Sequence, residues 1–445
     1  MSDTIIIRKG LDLPVGGAAE QCVTDMRDIA TCAVKPTDFV GLTPKMMVAE
    51  GDALKVGDAL FCDKNDERIR FTSPVSGMVK AVVRGEKRRI MEVVVEADGK
   101  LEHSEHFEIS ANSDTIKEAM LRCGLWTMLR QRPFGMVANP DDEPKAIFVS
   151  AFSSAPLAPD YDFIMQGREE FLKKGLEALT KLTKGLVHVC YRPDQKLAEK
   201  LKTSNSKLQT HLVKGPHPSG NIGTQINHVD PINKGDVVWT MNLQDVAVLG
   251  ELVSTGIYNP EKIIAVAGPN VEKPQYYRIK AGACLKDIKI KEHSRVISGD
   301  VLSGTQIAPD DFIGAYNDLV SVIPEGDYYD FMGWLMPGFK KYSFSRTFLS
   351  GFLPKLLKWK FDTNTHGDVR PLVFTGNFER VFPFDIYPTQ LIKACIIGDI
   401  ELMENLGIYE VEPEDFALCE FVDVSKTEIQ AIIRNALESL RKENV

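Results

Sequence analysis

Lys214 to Thr224 reads KGPHPSGNIGT, and its three glycines pose the first chemical question. A phosphate-cradling loop of the Walker type needs G-x-x-x-x-G-K-[ST], with a lysine for the phosphates and a hydroxyl for magnesium. Gly215 and Gly220 have that spacing, but Asn221 and Ile222 stand where the lysine and the hydroxyl belong. Pro216 and Pro218 also remove two backbone N–H donors. Nucleotide binding by this route is rejected, and the segment is expected to be a structural loop. His217 and His228 could face a ligand or a partner, yet two histidines without a carboxylate or cysteine set do not nominate a metal site. The eight cysteines are scattered, with no C-x-x-C pair. Neither a zinc ribbon nor an iron–sulfur cluster is expected from their spacing. There is no G-x-G-x-x-G after a predicted strand, no G-x-S-x-G elbow and no H-E-x-x-H. Nothing nominates an acid–base pair, which points toward a component that binds or assembles rather than catalyses.

A second chemical signal is KKYSFSRTFLSGFLPKLLKWK, 340–360, with six Lys/Arg and no Asp or Glu. Tyr342, Phe344, Phe348, Phe352 and Trp359 are interleaved, and Phe331, Trp334 and Phe339 precede them. Cations with aromatic rings suit a membrane interface or a membrane-protein partner. A solvated basic face over a local aromatic core is the alternative. The docking candidates are Trp334, Lys340, Lys341, Arg346, Phe348 and Trp359. Nucleic acid is not expected, because the net charge is −9.

Both signals need a scaffold. The chain has 445 residues, 44% hydrophobic and 26% charged, enough for three or four domains. The start MSDTIIIRKG has no signal-peptide h-region, and no apolar run reaches the roughly 18 residues of a membrane span. A cytoplasmic location is therefore expected. Short alternating runs from Phe39 to about Val95, punctuated by Gly-Asp and Pro turns, predict a small β domain. IRFTSPVSGMVKAV (69–82) resembles the middle of a lipoyl or biotinyl domain, which carries its cofactor on a hairpin lysine. Such carriers place that lysine seven residues before the serine, where this chain has Asp66. Lys64 stands two residues early, so the fold is expected without the covalent cofactor.

Thr115 and Glu118 fit a capping box opening a helix. Strands and helices then alternate: KAIFVSAF, REEFLKKGLEALTKL, GLVHVCY, DVAVLGELVSTG, KIIAVAG. That order implies an α/β domain over 105–265. Short strands return to about Pro324, and the last third ends in helices. The expected class is multidomain α+β. Its parts are 1–104 with a lipoyl-like β-barrel at about 39–97, the α/β unit at 105–265, a strand-rich unit at 266–329 and a segment at 330–445 ending in a helical domain.

Six segments in order, IRKGLDLPVGGAAEQ (7–21), IRFTSPVSG (69–77), GLWTMLRQRPFG (124–135), GPHPSGNIGT (215–224), GWLMPGF (333–339) and SRTFLS (345–350), together resemble one family over essentially the whole chain. It is the NqrA family, the peripheral component of the bacterial Na+-translocating NADH:quinone reductase. The resemblance implies a six-component respiratory complex that passes electrons from NADH to quinone and pumps Na+. The chain would lie on the cytoplasmic face of the inner membrane, linked with quinone and docked on the membrane component NqrB. The resemblance implies a Rossmann-like α/β domain similar to the flavin-bearing component of complex I, and a β-grasp soluble-ligand-binding domain at 266–329. Relatives in complex I and the Rnf complex bind FMN through a glycine-rich loop. Here Trp126, Arg130, Arg132 and Phe134 fill that place and should exclude it. Cys419 lacks companions for a cluster. No flavin, cluster or metal is therefore expected in this chain. The same four residues are the quinone-binding candidates, the rings to stack and the arginines to donate, with a plug of the old pocket as the competing reading. An FMN- and NADH-binding dehydrogenase component is the alternative function.

Overall fold

The computed structural model describes residues 4–110, 112–201, 205–333, 335–339, 341–352 and 357–443. The first β domain is a sandwich of two small sheets. One has the order Thr31–Val34, Ile90–Ala97, Gly77–Arg84, Ala53–Leu54; the other is Pro44–Met46, Ala59–Asp63, Arg70–Thr72. Their alternating apolar residues, among them Leu60, Phe61, Phe71, Val79, Val93 and Val95, are buried between the sheets. Alternation of this kind gives a half-buried strand its inner face. Ser73, in the turn that raised the carrier question, is fully buried, and its hydroxyl donates to the Val75 carbonyl at 2.6 Å.

The α/β unit is built on strands β1 (Ala146–Ser150), β2 (Leu186–Tyr191), β3 (Leu208–Lys214) and β4 (Val238–Thr240), all parallel. Their spatial order is β3-β2-β1-β4. The chain moves outward from β1 to β3, then crosses back to place β4 on the other side of β1. This reversal leaves a crevice at the carboxyl ends of β1 and β4, the place where open α/β sheets bind ligands. Helices α1 (Glu169–Leu179), α2 (Ile222–Val229) and α3 (Leu243–Thr255) cover the sheet. Successive residues of β1 face opposite cores: Ile147 and Val149 join the main core, while Ala146 and Phe148 pack with Ile226 and Val238. A sheet buried on both faces needs the continuous apolar run that AIFVS supplies.

Helices α1 and α3 cross at two glycines. A Cβ on Gly250 would lie 1.7 Å from the Phe171 carbonyl oxygen, and one on Gly175 would lie 1.9 Å from that of Val246. Backbone on both sides leaves no flexible atom to yield. Gly250→Ala is expected to destabilise the protein by roughly 1–3 kcal/mol through overpacking. Chemical denaturation followed by circular dichroism measures it, and an unchanged midpoint would refute the close crossing.

Three placements differ from the sequence reading. The strand Glu261–Ala267, assigned above to the α/β unit, pairs with Gln275–Lys280 and Leu319–Pro324 in a second sheet of six strands. The βαβα rhythm carried the reading one strand too far, since an apolar run after a helix looks alike in either sheet. The boundary therefore precedes residue 261. The N-terminal segment belongs to two neighbours rather than to the β domain. Ile5–Ile6 extends the α/β sheet beside β3, and Glu20–Asp25 forms the edge of the six-stranded sheet. Finally, the helix Ser113–Cys123 is capped by Asn112, whose side chain accepts from the Asp114 N–H, not by Thr115.

The C-terminal helices, chiefly Pro388–Ile397, Ala417–Val422 and Ile429–Glu443, enclose their own core around Phe378, Phe382, Phe384, Phe416, Leu391 and Ile433. Phe134 of the α/β unit packs against that core.

Candidate functional site

The segment 124–135 starts where Gly124, at φ +83°, ends the helix Ser113–Cys123. A 3-10 turn, Leu125–Met128, then leads into the strand Arg130–Arg132, antiparallel to β4. The four candidate residues point to different surroundings. Trp126 is 1% exposed. Its indole Nε1 donates to the Ala138 carbonyl at 2.8 Å, and its ring meets Trp239 edge-on at 5.4 Å. Arg132 is buried and faces three carboxylates of the helical domain: Asp415 at 3.1 Å, Glu414 at 2.5 Å and Glu412 at 3.5 Å. Phe134 meets Tyr409 edge-on at 6.1 Å, and its carbonyl accepts from Arg434 Nη1 at 2.8 Å. Only Arg130 looks into open space, its guanidinium lying over the Tyr316 ring at 4.9 Å.

The structure thus does not gather Trp126, Arg130, Arg132 and Phe134 into one slot. Arg132 and Phe134 fasten the α/β sheet to the helical domain. Burial works against the Arg132 charge, but Glu412, Asp415 and Glu414 more than offset it and hold the guanidinium protonated. One arginine cannot neutralise three acids. Burial pushes Asp415 up to about 7, with Arg132 pulling the other way. The sequence reading missed Glu412, Glu414 and Asp415, although the acidic run EVEPED has a charge complementary to RQR.

Two cavities border this segment. The smaller, about 60 Å³, is mostly apolar, with Phe39, Phe71, Leu125, Met128, Val248 and Ile313 in its wall. It also touches the buried pair Lys262–Asp245, 3.1 Å apart. The larger, about 220 Å³, is polar and sits at the order reversal of the parallel sheet. Ser150 at the end of β1 and Ser153 beyond it, Thr240 at the end of β4 and Asn242 beyond it, and Asp300 and Glu414 from the neighbouring domains line it.

The loop 214–224 forms part of that cavity's wall. Its His217–Pro218 peptide is cis. His217 is buried, its backbone N–H donating to Asp12 at 2.8 Å and its Nδ1 lying 3.1 Å from the Ser154 hydroxyl; burial pushes the imidazole pKa down. The His228 Nδ1 faces the Thr224 carbonyl at 2.9 Å, within the same helix. Among the described residues, no group of three His, Cys, Asp or Glu could hold a metal ion.

At the hairpin where a carrier would hold its lysine, the Asp66 carboxylate binds Arg68, which also pairs with Asp141 at 2.6 Å. The tip is tied to the α/β unit rather than free to swing.

The aromatic and basic stretch is largely on the outside. Tyr329 is 103% exposed, Phe331 89% and Phe352 86%, with Leu335, Met336 and Phe339 exposed between them. Arg346 is exposed, while Lys341 pairs with Asp330 and its Nζ lies 5.9 Å from the Phe348 ring centre. Trp359 is tied down, its backbone N–H donating to the Pro14 carbonyl at 2.7 Å and its ring meeting Tyr342 at 6.4 Å. Trp334 and Lys340 lie outside the described residues.

Three family descriptions match successive parts of the chain. These are the NqrA N-terminal barrel-sandwich hybrid domain over 5–98, the NqrA second alpha/beta domain over 111–258 and the NQRA C-terminal domain over 263–308. The NqrA protein of the Na(+)-translocating NADH-quinone reductase from Yersinia pseudotuberculosis is 40% identical over 449 residues, covering 99% of this chain and all of that protein. Its counterpart from Neisseria meningitidis serogroup B is 40% identical over 450 residues with the same coverage. That from Rhodopirellula baltica is 38% identical, covering 98% of each. The chain belongs to the NqrA family of the Na+-translocating NADH-quinone reductase. The family's second and third domain matches end and begin on either side of residues 259–262, where the structure changes sheets. An NAD+-reducing [NiFe]-hydrogenase structure aligns with 75% of this chain and 62% of that one, at 13% identity and a TM-score of 0.38, too low to carry an argument. Among the described residues, no helix of this NqrA family member is long and apolar enough to cross a membrane.

Proposed function

We propose that the chain is the peripheral docking component of a Na+-translocating NADH-quinone reductase, bound from the cytoplasmic face to the membrane-embedded components, chiefly NqrB. The observation that carries this reading is the exposed apolar stretch Tyr328 to Phe352, with Arg346 exposed among its rings. Large apolar residues exposed in sequence are what a monomer avoids and an interface uses. The reading draws on the family name for the complex and on this stretch for the contact. Quinone contact belongs to the same proposal, at the surface shared with the membrane partner. Three of the four residues first considered for it are engaged in internal packing. The apolar cavity of about 60 Å³ is far below the roughly 300–1,000 Å³ of ligand pockets. The order reversal of the parallel strands supports a Rossmann-like reading of the α/β unit.

The chain works without flavin, cluster or covalent cofactor in this proposal. An FMN molecule does not suit a polar cavity of about 220 Å³ into which Arg130 projects. The tethered hairpin and Asp66 at the carrier position support the absence of an attached group. Intact mass of the purified chain is expected to equal the sequence mass, and the solution to be colourless; an added lipoyl or biotinyl mass, or flavin absorbance, refutes this part. The docking part is tested by co-purification of the tagged chain with the rest of the complex in detergent. Failure to retain the membrane components at low and high salt refutes it.

A further inference from the structure

In the first β domain, the strands Gly77–Arg84 and Ile90–Ala97 are joined by a hairpin whose tip reads RGEKRR, 84–89, with four cations and one acid. The root of this hairpin is fixed. Ile90 is buried in the core, and the Gly85 N–H donates to the Arg89 carbonyl at 2.8 Å. Every residue from Val83 to Arg89 is exposed. Lower in the same hairpin Lys80 pairs with Glu96 at 3.6 Å, as cross-strand charges commonly do. At the tip that pattern stops. Among the described residues none of Arg84, Lys87, Arg88 and Arg89 forms an ion pair; Arg84 Nη1 donates to the Arg88 carbonyl at 3.3 Å. Glu86 is the one acid of the tip. Glu92, the next along the chain, is half-buried near Lys35 and Asp311.

The backbone sets these cations apart from an incidental surface run. The Arg89 N–H donates to the Glu86 carbonyl at 3.1 Å, closing a turn with Lys87 and Arg88 at φ +53° and +61°. Two successive central residues at positive φ favour Asn-Gly, because the left-handed region disfavours a side chain with an ordinary Cβ. Lysine and arginine stand there instead, so the turn keeps its charge at the expense of its conformation.

Apolar groups accompany the charge. Val83 and Met91, on the two strands beside the tip, are exposed, and the Met91 thioether lies against Gly85. Cations around a small exposed apolar surface suit the boundary between headgroups and acyl chains. Neither cavity described above includes a residue of 83–91. The tip is a knob for a plane of charge rather than a pocket for a small anion. Nucleic acid is disfavoured, since 83–91 has no aromatic residue on which a base could stack and the whole chain carries a charge of −9.

We propose that this hairpin tip is a contact for anionic phospholipid, with Arg84, Lys87, Arg88 and Arg89 on the headgroup phosphates and Val83 and Met91 at the headgroup boundary. It adds a lipid contact to the docking reading above and rests on that reading only for the nearness of a membrane. Its test uses the full chain alone.

The probe is sedimentation with vesicles of phosphatidylcholine containing about 30% phosphatidylglycerol, with pure phosphatidylcholine as the neutral arm. Binding to the anionic vesicles is expected at low salt, with none to the neutral ones and release at about 0.5 M salt. The decisive variant is Lys87→Asn with Arg88→Gly, which removes two charges and supplies the residues the turn favours. Its thermal midpoint is expected to equal or exceed that of the wild type, while vesicle affinity falls about thirtyfold. In detergent, where no bilayer remains, this variant is expected to co-purify with the complex like the wild type, so lipid contact and docking are read separately. No binding of the wild type to anionic vesicles, equal binding to neutral ones, or unchanged affinity in the variant would each overturn the proposal. Binding to poly-L-glutamate that the variant loses, with none to vesicles, would assign the tip to an acidic protein and overturn it as well.

Discussion

Replacing Arg132 by alanine is expected to lower the unfolding free energy by roughly 3–5 kcal/mol, the cost of leaving a buried charge uncompensated. Arg132 is 2% exposed, and Asp415 and Glu412 are 3% and 4% exposed, so solvent cannot take over its role. The cluster is already short of donors. Glu412 Oε1 and Asp415 Oδ1 have no hydrogen bond. Neighbouring cations do not replace Arg132, since Arg434 is committed to the Phe134 carbonyl and Arg130 to the Tyr316 face. Because the arginine joins the α/β unit to the helical domain, that domain should separate first on denaturation. Urea unfolding followed by limited proteolysis of the C-terminal helices measures this. A loss below about 1 kcal/mol would show that the cluster is better solvated than its burial indicates.

The same cluster sets a pH dependence. Asp415 moves from 3.8 to about 7, through burial first, against the pull of Arg132. The folded chain therefore keeps a proton that the unfolded chain releases near 3.8. Stability from this group is complete below that value and declines as pH rises to about 7, above which it is flat. The slope is at most about 1.4 kcal/mol per pH unit. Asp415→Asn removes the titration, so the wild type should lose stability relative to it between about pH 5 and pH 7. A difference that does not change with pH would mean that Asp415 is ionised throughout.

Local pattern carried much of the architecture. The helical period in REEFLKKGLEALTKL and the apolar runs around it place α1 between β1 and β2, because such elements bury their faces in an order that the chain itself dictates. What depended on distant partners was hidden. Ile5–Ile6 and Glu20–Asp25 are edge strands whose partners lie about the 210th and 275th residues, and their own residues show no periodicity that could say so. The site shows the same limit. Trp126 and Arg132 have the right chemistry for a quinone slot, but an indole can satisfy its N–H on a backbone carbonyl and an arginine can be consumed by acids about 280 residues away. Arg130, identical in type and two residues earlier, lies over Tyr316 instead of among the acids. Residue type and spacing single out the segment; only the packing shows where each of its side chains goes.

Substituting Phe331, Phe339 and Phe352 by serine is expected to abolish co-purification with the membrane components while leaving the fold intact. These rings are 89%, 63% and 86% exposed, so little native packing is lost within the chain. Full burial of a phenylalanine contributes roughly 1.5–3 kcal/mol, and three together exceed about 4 kcal/mol, or about a thousandfold in affinity. Arg346→Glu should act differently. A rim charge governs approach and salt sensitivity more than the lifetime of the bound state, so the complex should form more slowly and depend less on salt. An unchanged thermal midpoint in the triple variant separates lost docking from lost folding. If that variant co-purifies like the wild type, the contact lies elsewhere. The helical domain then becomes the next surface to test, because it also exposes Tyr387 and Ile397, at 69% and 71%, which nothing in its own core requires. Loss of co-purification in the phenylalanine variant alone, with Tyr387→Ser and Ile397→Ser neutral, would assign the docking to the aromatic stretch.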